Sequence, residues 1–216
     1  MNTPEPVTIG VDPSLSGTGY CILQGDALLA YGTIRTAPDD GNDAERNAVI
    51  VAGLLNAVKE CPERVTLLGV ETQFAGGGGE GFRARAGAAM RVAAVRGAVS
   101  MLGPMLSIPV VEVSPAEGKR ALTGSGKATK KQMQAAVLRD YGVSLAQDSA
   151  DACGIALSAR QIVAGRAPAR KHVAGGSFEV TQKTKAGNIH LGPREEATDG
   201  LPTHVKDAIS RGRHGK

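Results

Sequence analysis

Apolar and polar positions change their period several times along the chain, and each change predicts a different element. Three short runs, at residues 7–11, 18–23 and 27–34, are rich in apolar or β-branched residues and are separated by turns that contain glycine. Runs of this kind predict strands, here a three-stranded antiparallel meander. After residues 41–43 the apolar positions recur at helical spacing, which predicts a helix that ends at Cys61 and Pro62.

The pattern then alternates between strands and helices. Residues 65–70 form a nearly continuous apolar run, typical of a buried central strand, and residues 110–113 predict a short strand. Glycines at 76–79 predict a mobile loop, and residues 117–129 predict a basic loop. Helical patterns lie at residues 82–102, 130–141 and 149–164. The order β-β-β-α-β-α-β-α-α predicts an α/β fold.

The periodicity fades toward the end of the chain. From residue 165 onward Gly, Pro, Ala, charged residues and all four histidines dominate. We therefore expect one compact domain over residues 1–164 and a basic, flexible tail over residues 165–216, in which residues 203–210 favour a short helix.

Composition and targeting signals narrow the class of protein. Of the 216 residues 42% are apolar but only 3% are aromatic, so aliphatic residues must build the core. Neither an apolar run of membrane-spanning length nor a signal pattern is visible, and we expect a cytoplasmic protein with no membrane association. Cys21, Cys61 and Cys153 are widely spaced inside apolar patterns, which favours reduced buried thiols over a disulfide or a zinc site.

Charge is distributed unevenly along the chain. The net charge is +4, but residues 81–131 carry nine Lys or Arg against two acids, a local +7. Residues 161–216 carry ten basic against five acidic residues, a local +5, so the remainder sums to −8. This distribution suits binding to a polyanion. A solvated basic helix face would give the same charge pattern.

Four carboxylates are the candidate chemistry. Asp12 and Glu71 each end an apolar run, and Asp148 and Asp151 are three residues apart, hence on one face of a predicted helix. If these ends converge in an α/β fold, they offer the oxygen ligands that Mg²⁺ prefers. Other interpretations stay open: Asp12 before a proline suits a turn, and Asp148 with Asp151 suits a helix cap and first turn. Glu71 continues a buried run and needs a partner.

Three motifs resemble the RuvC family of Holliday junction resolvases. Residues 10–20 (GVDPSLSGTGY) resemble its opening motif, residues 70–74 (VETQF) its second acidic strand, and residues 147–152 (QDSADA) its closing acidic helix. The resemblance covers residues 7–160. It implies a ribonuclease H-like fold with a mixed five-stranded sheet and flanking helices, a homodimer, and two Mg²⁺ ions per site, with Mn²⁺ as a substitute. Its four metal ligands match Asp12, Glu71, Asp148 and Asp151.

The resemblance implies further site residues. Phe74 stands where the family has an aromatic that stacks on a base, and Lys119 and Lys130 match lysines that contact scissile phosphates. Lys119 is thus a candidate catalytic residue; the alternative for Lys119 and Lys130 is that of ordinary surface lysines. The candidate DNA-binding residues are Phe74, Arg83, Arg85, Lys119, Lys127, Lys130 and Lys131. The arginine-bearing helix at 82–102 is the expected surface for dimerisation and DNA contact. The glycine loop and the tail depart from the family and indicate a divergent or phage-encoded member.

The function implied is metal-dependent resolution of four-way DNA junctions. Paired symmetric nicks by an activated water would leave a 5′-phosphate and a 3′-hydroxyl. A kinase or ATPase of the actin and sugar-kinase class is disfavoured because its later phosphate and adenosine motifs are missing. Residues 123–129 are not a phosphate-binding P-loop, because Ala121 and Ala128 stand where Gly and Ser or Thr are required. A non-catalytic junction-binding protein, and a nuclease that prefers flaps, forks or RNA–DNA hybrids, remain alternatives.

Overall fold

A five-stranded mixed sheet forms the centre of the protein. The computed structural model describes residues 5–72 and 82–165, and only the backbone of residues 82–86 and 88. The strands are β1 (Val7–Asp12), β2 (Gly17–Gln24), β3 (Ala27–Arg35), β4 (Leu67–Glu71) and β5 (Val110–Val113). Their order in the sheet is β3-β2-β1-β4-β5, with β1–β2 and β2–β3 antiparallel and β1–β4 and β4–β5 parallel. The predicted meander and fold class are confirmed.

Six α-helices and one 3₁₀ turn flank the sheet within the described residues. The 3₁₀ turn is Pro38–Asp40, and the helices are α1 (Asp43–Glu60), α2 (Phe82–Ser100), α3 (Leu102–Leu106), α4 (Pro115–Thr123), α5 (Lys130–Tyr141) and α6 (Gln147–Gly165). Asn42, Ser114 and Thr129 begin α1, α4 and α5 with capping boxes, in which each cap side chain accepts a hydrogen bond from the backbone of the first turn. None of the described helices combines the length and apolar character needed to cross a bilayer.

Helices cover both faces of the sheet. On one face Ile9 and Val11 of β1 pack with Ile50 and Leu54 of α1. On the other face lie Leu23 of β2, α5 and the buried small residues of α6. Burial on both faces explains why the central strands read as continuous apolar runs rather than as alternating ones.

Glycines allow α6 to lie directly on the sheet. A Cβ on Gly10 would overlap the carbonyl oxygen of Ala152, and a Cβ on Gly19 would overlap the carbonyl group of Asp148. Gly10 and Gly19 therefore permit an approach that any larger residue would block. The close packing brings the acidic start of α6 against the end of β1, because Asp12 pairs with Gly19.

The structure corrects several predicted boundaries. The basic loop predicted at 117–129 is wrong over residues 117–123, where Ser114 caps a helix whose first residue is Pro115 and Glu117 completes the capping box; residues 124–129 do connect two helices. Pro at the first helical position and this box outweigh the glycines that favoured a loop. The helix predicted at 82–102 ends at Ser100 and is followed by the separate helix α3. The fourth strand runs from Leu67 to Glu71 rather than over 65–70.

The start of α6 changes the interpretation of its acids. The helix begins at Gln147, so Asp148 lies inside the first turn instead of at the cap, and Asp151 follows in the next turn. Both side chains therefore project from regular helix. Because Ala146 precedes the helix, a carboxylate cap is absent at this described terminus.

The expectation of three reduced thiols is also wrong for two of them. Cys21 of β2 and Cys153 of α6 form a disulfide, with their Cα atoms 5.1 Å apart. The Cα separation lies within the usual disulfide range. Both residues are fully buried, and their 132-residue separation in sequence hid the pairing. Cys61 is free and half-buried.

Some predictions lie outside the described residues. They are the glycine loop at 76–79, the base-stacking role of Phe74, and the tail beyond residue 165 with its short helix at 203–210. The division into a domain over 1–164 and a tail over 165–216 stays a prediction.

Candidate functional site

The four predicted carboxylates come from three elements that meet at one edge of the sheet. Asp12 is the last residue of β1 and Glu71 the last of β4. These strands are adjacent and parallel, with Val11 paired to Val70, so their carboxyl ends lie side by side. Asp148 and Asp151, on the first two turns of α6, reach the same edge because α6 packs on β1 and β2. All four side chains are half-buried.

Asp12 and Glu71 share a hydrogen bond that requires a proton. Burial, then the negative charges of Glu71 and Asp151, raise the pKa of Asp12 to about 8. Burial also raises the pKa of Glu71, although accepting the hydrogen bond from Asp12 opposes this shift. Asp12 is therefore the protonated donor of the pair and Glu71 the acceptor.

Asp151 and Asp148 complete the acidic group. Burial raises the pKa of Asp151, and the charge of Asp148 acts in the same direction. A hydrogen bond from Gln147 and the charges of Lys119 and Lys130 oppose the shift. The carboxylate of Asp148 lies against Gly17, whose added Cβ would be 3.2 Å from Asp148 Oδ2. Asp148 also raises the pKa of Asp12, so the carboxylates act on one another electrostatically.

Two of the predicted lysines border this acidic group. Lys119 lies on α4, and its charge lowers the pKa of both Glu71 and Asp151. It is brought there by the contact of Gly118 with Gly154 of α6, where an added Cβ on Gly154 would be 2.6 Å from the Gly118 carbonyl oxygen. Lys130, the first residue of α5, lowers the pKa of Asp151.

The donor set suits a hard divalent cation. Four carboxylates supply only oxygen ligands, which Mg²⁺ and Mn²⁺ prefer. Burial and then the repulsion among the carboxylates raise the pKa of Asp12, so a cation would compete with a proton for the same oxygens. Among the described residues no three Asp, Glu, His or Cys side chains are already gathered tightly enough to form a complete ligand cluster. The fit therefore rests on the chemistry of the donors and on their electrostatic contact.

Of the remaining predicted DNA-binding residues, only Lys127 and Lys131 have side chains that the structure describes. Lys127 and Lys131 are exposed, the first in the connection between α4 and α5 and the second in the first turn of α5. Arg83 and Arg85 lie in α2, where the structure describes their backbone but not their side chains. Phe74 lies outside the described residues. Arg96 of the same helix forms a 3.7 Å ion pair with Glu112.

Two residues near the acids had no predicted role. Gln147, directly before Asp148, donates a hydrogen bond to the carboxylate of Asp151. Arg35 ends β3, and its Nη1 would lie 3.7 Å from a Cβ on Gly17, the residue that Asp148 also approaches. The position of Arg35 at the end of an apolar run was the available signal, equivalent to that of Asp12.

Comparisons with known proteins agree with this geometry. The family model described as "Crossover junction endodeoxyribonuclease RuvC" matches residues 8–159. Proteins of that name from Prochlorococcus marinus and Chlorobium chlorochromatii are 31% and 36% identical over 160 and 159 residues. These matches cover 71% and 70% of this chain, and 94% and 77% of the relatives.

A solved structure matches the fold. It is Thermus thermophilus RuvC in complex with a Holliday junction substrate, with a TM-score of 0.59 and 24% identity, covering 74% of this chain and 96% of that one. The family model spans more than half of the chain, and its range includes all four carboxylates and Lys119. The chain therefore belongs to the RuvC family of crossover junction endodeoxyribonucleases.

Proposed function

We propose that this protein resolves four-way DNA junctions by paired symmetric nicks that leave 5′-phosphate and 3′-hydroxyl ends. Membership of the family makes it a hydrolase that acts on DNA with the help of divalent cations. The observation that carries the assignment to these residues is the convergence of Asp12, Glu71, Asp148 and Asp151 beside Lys119. A non-catalytic junction binder would have no use for four carboxylates whose repulsion opposes folding.

The metal complement follows from the donors. We assign two Mg²⁺ ions to each active site, with Mn²⁺ as a substitute, and Asp12, Glu71, Asp148 and Asp151 as their ligands. Divalent cations at such a site acidify the attacking water and stabilise the charge on the leaving oxygen of an in-line displacement. No protein nucleophile is required.

The protein's own residues prepare that chemistry. Asp12 would have to release its proton before its oxygens could hold a cation, so metal affinity should rise with pH. Gln147 orients the Asp151 carboxylate through a hydrogen bond. Lys119 lies next to Glu71 and Asp151, where a scissile phosphate would add negative charge, and its role is to hold that phosphate against the acidic group. Lys130 acts on the same side of the site.

Substrate binding extends beyond the acidic group. Lys127, Lys130 and Lys131 are exposed in the connection between α4 and α5 and in the first turn of α5, and the charge of Lys130 acts on Asp151. There they would neutralise phosphates of a DNA arm. Arg83 and Arg85 of α2 and the aromatic ring of Phe74 are further proposed DNA contacts. A homodimer would supply two active sites with the two-fold symmetry of the junction.

Cleavage of labelled DNA tests the proposal. Wild type, Asp151→Asn and Asp140→Asn are compared on an immobile four-way junction, a flap, a fork, plain duplex and an RNA–DNA hybrid, with Mg²⁺ or with a chelator. Asp140 is a suitable control because its carboxylate pairs with Arg139 on the exposed surface of α5. We expect symmetric nicks on junctions by wild type and Asp140→Asn, at least about 100-fold slower cutting by Asp151→Asn, and no cutting without the cation.

Two results would change the assignment. Equal or faster cutting of flaps and forks would make the protein a broader branched-DNA nuclease. Junction binding without cutting by wild type, in either Mg²⁺ or Mn²⁺, would overturn the enzymatic proposal and leave a structural junction binder.

A further inference from the structure

The loop at residues 13–16 joins two parts of the proposed active site. It starts directly after Asp12, the end of β1, and leads to Gly17, the start of β2. Gly17 lies against the carboxylate of Asp148. This short loop therefore connects Asp12 to the residue that the Asp148 carboxylate approaches.

The backbone of the loop is held at three consecutive residues. The Thr18 hydroxyl accepts a hydrogen bond from the Ser14 N–H at 3.1 Å and donates one to the Ser14 carbonyl at 2.6 Å. The Leu15 carbonyl accepts from the hydroxyl of Thr36, and the Ser16 carbonyl accepts from the Thr36 N–H at 3.4 Å. Thr18 and Thr36 are both buried, so water does not compete for these bonds.

Arg46 of α1 adds three hydrogen bonds to this network. Its Nε donates to Thr36 Oγ1 at 3.0 Å, and its Nη2 donates to the Leu15 carbonyl at 3.2 Å and to the Thr36 carbonyl at 3.4 Å. Its side chain is only 11% exposed, and its nearest carboxylate oxygen, of Asp43, is 3.9 Å away. Burying the Arg46 guanidinium removes water from a charged group, which costs free energy. This cost indicates that the loop geometry fixed by Arg46 matters for function.

We propose that Arg46, acting through Thr36, is a positioning residue for DNA cleavage: it fixes the 13–16 loop and thereby the relative placement of Asp12 and Asp148. Arg46 does not touch the acidic group. The cations whose charges lower the pKa of Asp151 are Lys119 and Lys130, so Arg46 acts through its hydrogen bonds to the loop. This inference rests on the proposed nuclease function, because the distance between two metal-ligating carboxylates matters only if they share ions.

The chain contains a matched control at the far end of the sheet. Arg160, near the end of α6, also donates to a backbone carbonyl in a strand connection, that of Gly25 between β2 and β3. It is 20% exposed and pairs with Glu5 at 3.1 Å. Replacing Arg160 removes hydrogen bonds comparable to those of Arg46 but leaves the contacts of the 13–16 loop in place.

The experiment compares full-length wild type, Arg46→Met, Arg160→Met, Thr36→Val and Thr36→Ser. Junction affinity is measured in Ca²⁺, single-turnover cleavage is measured over a Mg²⁺ titration, and thermal unfolding identifies a temperature at which every variant is folded. We expect Arg46→Met and Thr36→Val to cut about 10- to 100-fold more slowly and to need more Mg²⁺, with junction affinity changed by less than about threefold. Arg160→Met and Thr36→Ser should cut within about twofold of wild type, because each keeps the loop contacts.

Three outcomes would overturn the inference: equal losses of cleavage in Arg46→Met and Arg160→Met, wild-type cleavage by Arg46→Met, or a loss that lies entirely in junction affinity. If wild type itself cuts no branched DNA, the proposed function fails, and the rise in Tm caused by Mg²⁺ then decides the inference. A smaller rise in Arg46→Met than in Arg160→Met supports positioning of the carboxylates, whereas equal rises refute it.

Discussion

Asp12 is the residue whose chemistry the fold alters most. Burial and the charges of Glu71 and Asp151 raise its pKa to about 8, so near neutral pH it holds a proton that the unfolded chain has released. Between about pH 4 and pH 8 the native state therefore binds more protons than the unfolded state at this residue. Through this window the contribution of Asp12 to the free energy of unfolding falls as pH rises.

The first prediction concerns Asp12→Asn in the presence of a chelator. The amide is neutral at every pH and can still donate to Glu71, so at pH 8 the variant should be more stable than wild type by about 2 kcal/mol, or roughly 4–8 °C in Tm. At pH 4 the difference should largely vanish, because Asp12 is then protonated in the native state and substantially protonated in the unfolded chain as well. Mg²⁺ should raise the Tm of wild type but not of the variant. Thermal unfolding at both pH values, with and without Mg²⁺, provides the measurement, and a variant less stable at pH 8 contradicts it.

The second prediction concerns Lys119→Met. The charge of Lys119 lowers the pKa of Glu71 and Asp151, so Lys119→Met should shift the acid limb of the pH–rate profile to higher pH. Loss of the proposed phosphate contact should slow junction cleavage about 10- to 100-fold and reduce the salt dependence of binding by about one counterion. The exposed Lys59 of α1 provides the control, since Lys59→Met removes an equal charge away from the acids. Identical profiles for both variants would remove Lys119 from the catalytic site.

Helix α6 carries two of the four carboxylates and packs directly on the sheet. The sequence allowed the four acids to be predicted, since each ends a run or begins a helix within a recognisable motif. It did not reveal why α6 approaches so closely, because Gly10 and Gly19 read as turn or strand glycines until their partners Ala152 and Asp148 are known.

Arg46 was missed for a similar reason: its hydrogen bond to Leu15 spans 31 residues and leaves no periodic signal. Helix α4 was missed because the glycines at 118, 124 and 126 outweighed its cap.

The close approach of α6 leads to a third prediction. A methyl group at Gly10 would overlap the carbonyl oxygen of Ala152, so Gly10→Ala must displace α6 or the strand. We expect a loss of about 2–3 kcal/mol in the free energy of unfolding and weaker Mg²⁺ binding, because the acids move with the helix. Gly97→Ala on α2 is the control: no atom lies within 4 Å of its added Cβ, and the better helix propensity should stabilise the protein by up to about 1 kcal/mol. Urea titration with and without Mg²⁺ measures both effects. Unchanged stability in Gly10→Ala would show that the helix does not need this contact.

The disulfide between Cys21 and Cys153 fastens the same helix to β2. It closes a loop of 132 residues, so its reduction should lower the free energy of unfolding by about 3–5 kcal/mol in the chain-entropy account. The Tm of wild type and of Cys61→Ser should fall on adding a reductant, while the Tm of Cys153→Ala should not respond. If reductant leaves the Tm of wild type unchanged, the two thiols are not joined in the isolated protein.

Basic and acidic residues are concentrated in different parts of the chain. Residues 81–131, which include α4 and the start of α5, carry a local +7, while the four site carboxylates lie at the adjoining edge of the sheet. In the proposed function, such an arrangement would attract a DNA backbone to the surface around the acids, and divalent cations would neutralise the acids themselves. In this proposal, however, one active site cuts one strand. Paired nicks at opposed positions of a junction need a second copy of the site at a fixed distance.

The last prediction tests this requirement with mixed dimers. Co-purified heterodimers of one wild-type and one Asp151→Asn chain should bind a junction as well as wild type does, but cut only one of the two opposed strands that wild type nicks. On a supercoiled plasmid with an extruded cruciform, wild-type homodimers should give linear product through paired nicks, whereas heterodimers should give nicked circles, because each heterodimer holds a single competent site. Homodimers of Asp140→Asn, mixed with wild type in the same way, control for the tagging and exchange procedure. Linear product from Asp151→Asn heterodimers at the wild-type rate would mean that one active site cuts both strands in turn, and the two-site geometry proposed here would then be wrong.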